Sequence, residues 1–135
     1  MTDAEFLRAL EACELPDGAF DHAGHVRAAY LYLRACGFAG ALERMRASIR
    51  RYAAHHGSPG KYHETITVAY LALIGQRLLE VGDAPGWEAF RAHNPDLLER
   101  DLLLRFYPEA QLHSDLARRT FLLPQGAPTT PRPDA

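Results

Sequence analysis

The segment Tyr62–Val81 constrains this chain more than any other. It is the longest apolar stretch in the sequence, and it reads as a helix. A helix this apolar belongs at the centre of its domain, with the other elements packed around it. Its first two turns nevertheless carry His63, Glu64 and Thr67. Polar groups buried there without partners cost about 1–3 kcal/mol each. At 100° per residue the solvent stripe of this helix is narrow and comprises Thr65, Ala69, Ala72, Gln76 and Glu80. His63 aligns with Thr67, Tyr70, Ile74 and Val81, and Glu64 aligns with Val68, Leu71 and Gly75. Both are therefore expected to point inward.

A second inward polar pair opens another helix. The pattern predicts a helix over His22–Cys36, with Asp21 as N-cap and Gly37 just past its end. His22, His25, Val26, Ala29, Leu33 and Cys36 fall in one sector, with Arg27, Leu31 and Arg34 opposite. Both histidines thus project from the apolar face. The remaining pattern is also helical. Asp3–Cys13 carries a Thr2/Glu5 capping box, and Ala39–His56 is closed by Gly57. Beyond Gly82, shorter helices are expected over Pro85–Ala92, over Asp96–Phe106, after Pro108 and over Ser114–Phe121. No period-two strand and no internal repeat is present. The expected fold is all-α: a bundle of four main helices plus short C-terminal helices, forming one domain over 1–123. From Pro124 onward, four prolines and no large apolar residue predict a disordered tail over 124–135.

Composition narrows the function classes. The 135 residues carry a net charge of −2, which speaks against a nucleic-acid partner or a membrane surface. Gly75, Gln76 and Arg77 interrupt the apolar segment, so it does not read as a membrane span. Cys13 and Cys36 form no C-x-x-C and no disulfide framework, and both are expected as buried free thiols. The acidic start Met1–Glu5 does not resemble a signal peptide. A cytoplasmic location is expected, and a homodimer stays open. Seven histidines are the one compositional outlier.

His22, His25, His63 and Glu64 form the main candidate site. His22 and His25 lie one helical turn apart, and a third ligand from a neighbouring helix is a common way to complete a site inside a bundle. His22, His25 and His63 would hold a divalent transition metal, with zinc, copper, iron or nickel suited to imidazole. Glu64 would serve as a general base or would orient a ligand. Tyr62 and Thr67 would contact a small-molecule substrate, and Lys61 would sit at the mouth. This describes a small metalloenzyme acting as an oxidoreductase, hydrolase or transferase. Two other readings use the same residues: a metal-free pocket for a small polar ligand, and a purely structural network in which the histidine rings bond to backbone carbonyls. Thr67 has its own local alternative, a bond back to the His63 carbonyl. His56 is a possible fourth histidine of the site, while His55, His93 and His113 read as surface residues.

Three pieces together carry a resemblance: Phe20–Leu31 with its F-x-H-x-x-H, Tyr62–Thr67 with Y-H-E-T-I-T, and Ser114–Phe121. They look like a family of small, uncharacterised bacterial all-helical proteins. That resemblance implies a pattern and no mechanism. The arrangement is also loosely similar to DinB-like bundles, which hold a metal with three histidines and include thiol-dependent transferases and hydrolases. This sequence is shorter and lacks their His-x-x-x-His pair.

Overall fold

A computed structural model describes residues 1–81 and 86–125. The chain is all-α, with no strand among the described residues. The α-helices are α1 (Asp3–Glu11), α2 (His22–His55), α3 (Glu64–Val81), α4 (Trp87–His93), α5 (Glu109–Leu112) and α6 (Asp115–Arg119), with 3-10 turns at Pro59–Lys61, Pro95–Leu98 and Leu102–Arg105. None of these helices is long and apolar enough to cross a membrane. The expected stop at Gly82, the helix start at Pro85 and residues 126–135 of the expected tail lie outside the described residues.

Local signals set most boundaries. Thr2 and Glu5 form the expected capping box at α1, and Asp21 caps α2 by accepting from the Gly24 amide at 2.8 Å. The helices expected over His22–Cys36 and Ala39–His56 run on as one element, α2, broken at Gly37 with φ +72° and ψ −176°. A side chain is strained at that φ, and glycine is not. The break turns α2 into two arms: Leu33 of the first lies beside Gly75 of α3, and Arg46 of the second pairs with Glu64 at the start of α3.

The core lies between these arms, α1 and α3. Phe6, Leu10, Tyr30, Leu33, Leu71 and Ile74 are all buried. The Tyr30 ring also meets Phe90 of α4, with centroids 4.7 Å apart.

Two expectations fail for physical reasons. Asp96–Phe106 is not one helix, because Glu99 is extended (φ −78°, ψ 125°). Its carbonyl accepts from the Tyr70 hydroxyl at 2.9 Å, while Arg77 of α3 holds Asn94 and Asp96 at 2.7–3.0 Å. Long-range bonds replace the ladder that a helix would have made. Thr65, expected on the solvent stripe, is completely buried. Its hydroxyl donates to the Thr120 carbonyl at 2.8 Å and accepts from the Leu122 amide at 3.1 Å. The C-terminal segment therefore covers that end of the stripe, while Ala72, Gln76 and Glu80 further along it are exposed.

A candidate ligand cleft between the arms of α2 and the start of α3

The first turn of α2 builds one wall. His22, His25, Val26 and Ala29, which share a helical sector, all line a cavity of about 370 Å³. Met45 and Ile49 from the second arm of α2 face them, with Leu71 and Ile74 of α3 closing the floor. A second cavity of about 450 Å³ is lined by Phe20, Asp21, Tyr52, His56 and Ser58. Both cavities share His22, His25, Lys61, Tyr70 and Arg100 among their linings. They are two lobes of one cleft, the first apolar and the second more polar.

The three histidines have different duties. The His63 ring is satisfied on both sides: Nδ1 accepts from the Ile66 amide at 3.1 Å, capping α3, and Nε2–H donates to the Leu112 carbonyl at 2.7 Å. It is a clamp between the start of α3 and the end of α5. Burial holds its pKa below the ordinary histidine value, with the Leu112 carbonyl opposing. His22 donates from Nε2 to the Leu97 carbonyl at 3.0 Å, which leaves its Nδ1 as a free acceptor. The His25 ring packs on Phe20, with centroids 3.9 Å apart, and its one hydrogen-bonding neighbour among the described residues is the backbone of Asp21. Burial first, and the neighbouring His22 second, push its pKa down to about 4. At neutral pH it presents an uncharged imidazole, both donor and acceptor, to the cleft.

Other expected site residues are placed elsewhere. Glu64 and Tyr62 line neither lobe. Glu64 is gripped by Arg46, whose Nε lies 2.9 Å from Oε1, and it also accepts from the Tyr62 hydroxyl. Arg50 lies over the Tyr62 ring at 4.4 Å. The Arg46 guanidinium holds the Glu64 carboxyl below the usual carboxylate range, so Glu64 is a paired anion anchoring α3 to α2. Thr67 lines the apolar lobe, but its hydroxyl bonds back to the His63 carbonyl at 2.8 Å. Among the described residues, no three histidine, cysteine or acidic side chains come together so as to hold a metal ion. Both ring nitrogens of His63 are committed to backbone groups.

No protein-family model matches this chain, and neither a curated protein nor a solved structure proved significantly similar to it. The reading of the site therefore rests on its geometry.

Arg100 was not visible as a site residue in the sequence. It reaches the cleft because the chain breaks at Glu99, and no local pattern announces that break. His56 lines only the polar lobe, stacked on Tyr52 with centroids 4.2 Å apart.

Gly24 fixes the wall that carries the histidines. A Cβ there would sit 2.5 Å from the Ala19 carbonyl oxygen, a backbone atom that cannot swing aside. Gly24→Ala is expected to displace the first turn of α2 and to destabilise the fold by about 1–3 kcal/mol. Urea unfolding measures the loss, and His22 and His25 imidazole resonances should shift in the folded variant. Unchanged stability and unchanged resonances would show that the close approach does not constrain this turn.

Proposed function

We propose that this chain is a small-ligand-binding protein whose histidine-lined cleft takes up an organic molecule without a resident metal. We take α1, the two arms of α2 and α3 as the four main helices of the bundle that presents it. One observation carries the reading. His25 lines this lobe with the Asp21 backbone of its own turn as the only partner seen for its ring among the described residues, whereas His22 and His63 are tied to carbonyls of distant segments. With one ring nitrogen turned to Asp21, the other is left for a molecule bound in the cleft. The lobe volumes lie in the range of small-molecule sites. Whether binding is followed by chemistry depends on the ligand, with neutral His25 and the free Nδ1 of His22 as the groups available to move a proton.

The test is imidazole-detected NMR of untagged protein during titration with a panel of small organic acids, alcohols and amines. At least one class should shift the His25 signals saturably, and His25→Ala should weaken that binding at least tenfold. A panel that leaves His25 untouched in folded protein would end this reading. Zinc, copper, nickel and ferrous ions form the second arm. Stoichiometric metal binding abolished by His25→Ala would replace the proposal with the metal-centre reading, and EDTA should otherwise leave the melting temperature unchanged.

A further inference from the structure

Resting on that reading of the cleft, we propose that its ligand is a small amphipathic carboxylate, with the apolar body in the Val26–Met45–Ile74 lobe and the carboxylate between Lys61 and Arg100. Lys61 and Arg100 are the two cations that line both lobes, so they stand where the lobes join. Neither side chain makes a hydrogen bond or an ion pair with a described residue. Arg27, Arg46, Arg77, Arg105 and Arg119 are matched by Asp3, Glu64, Asp96, Glu99 and Asp115; other arginines such as Arg8 and Arg44 also lack an acidic partner among the described residues, and what sets Lys61 and Arg100 apart is that they line the cleft. Lys61 is also the one lysine in a chain that otherwise uses arginine.

Across both lobes one carboxylate, Asp21, accompanies these cations, and its Oδ1 is occupied by the Gly24 amide. The balance at the junction is positive and suits one negative charge.

The interior suits an apolar body. Apart from the two histidines, its hydroxyl groups are spoken for: Thr67 donates to the His63 carbonyl and Tyr70 to the Glu99 carbonyl. His25 lines both lobes beside the two cations, so its ring reports on whatever binds there. Lys61 and Arg100 could also hold a phosphate, but the apolar lobe beside them suits a ligand that carries a hydrocarbon body with its anion, and phosphate is therefore an arm of the test. A single carboxylate on a short hydrocarbon or aryl body fits this inventory of donors.

The experiment compares octanoate, octanol and inorganic phosphate by titration against the His25 imidazole signals. It uses wild-type protein and Lys61→Gln/Arg100→Gln. Both substituted side chains are exposed, so the variant should melt with the wild type, and a melting curve checks that it does. Octanoate should bind roughly tenfold more tightly than octanol, and the double variant should lose roughly that factor, as expected for two rim charges that together contribute about 1.4 kcal/mol. Octanol binding as tightly as octanoate, phosphate binding more tightly than octanoate, or a folded double variant with undiminished octanoate affinity would overturn the carboxylate assignment and leave the cleft reading standing. If no probe moves His25, the cleft reading itself falls, and the assignment with it.

Discussion

Between pH 6.5 and about 4 the fold is expected to lose about 3 kcal/mol as His25 takes up a proton. The sign follows from the direction of the shift. The unfolded chain protonates this histidine near 6.5, whereas the folded chain resists until about 4. Over that interval the unfolded state binds more protons, so stability falls as the pH falls. The contribution is complete above 6.5 and is gone below about 4. The charged and titratable groups acting on the ring are His22 on the same turn and Asp21 at the cap, and Lys61 and Arg100 line the same cleft. His22 acts against an imidazolium and Asp21 acts for it. His63, also held below its ordinary value, adds to the loss with the same sign. The Arg-paired carboxylates Glu64 and Asp96 weaken the fold only once the pH approaches their unfolded values of 4.5 and 3.8. The upper part of the interval therefore belongs to the histidines.

Urea unfolding at half-unit steps from about pH 7.5 to 4.5 measures this. The slope for wild-type protein should approach about 1.4 kcal/mol per pH unit for each proton taken up on unfolding. His25→Gln should retain less than half of it. A variant with the full wild-type slope would show that His25 is not the source.

Thr65→Val is expected to cost about 2 kcal/mol and to release the C-terminal strap. The substitution keeps the shape and removes one hydroxyl. That hydroxyl serves two backbone groups at once, the Thr120 carbonyl and the Leu122 amide. The same strap is held by the Tyr107 hydroxyl at the Leu122 carbonyl, 2.8 Å, and by Gln111 at the Leu123 carbonyl, 3.2 Å. Loss of the Thr65 contacts should leave it attached at one side only. The Leu122 amide should then exchange with solvent much faster than the Ile74 amide in the core, and protease should cut near Phe121 before the rest of the fold is attacked. Thr65→Ser, which keeps the hydroxyl, should behave nearly as the wild type. Equal exchange at Leu122 in Thr65→Val and wild-type protein would refute the role assigned to this side chain.

How much of this could be read beforehand differs from residue to residue. The face carrying His22, His25, Val26 and Ala29 is a matter of helical period, and it lines the cleft as the period implies. Asp21 and the Thr2/Glu5 box act within three residues, so the local sequence shows them. Gly37 is legible for the same reason, since glycine marks a place where a helix can end. Thr65 was not legible: its partners lie more than fifty residues ahead, and a wheel diagram cannot know which part of a helix a distant segment will cover. Glu64 and Tyr62 show the limit of direction arguments. An inward-facing residue has several neighbours, and Arg46 claimed this carboxylate before the cleft could. His63 was correctly recognised as needing partners, but the sequence could not tell that a backbone amide and the Leu112 carbonyl would supply them.

The segment 97–100 has a consequence for how the cleft would receive a molecule. His22 hangs from the Leu97 carbonyl and Tyr70 from the Glu99 carbonyl, and Arg100 follows directly in the chain. Two walls and one rim charge are thus suspended from a single bracket. They cannot drift apart without breaking those bonds, so the width of the mouth is set before any ligand arrives. A preorganised opening of this kind spares the ordering entropy that a loop-built site loses on binding. It also makes selection by ligand girth a property of the folded chain alone.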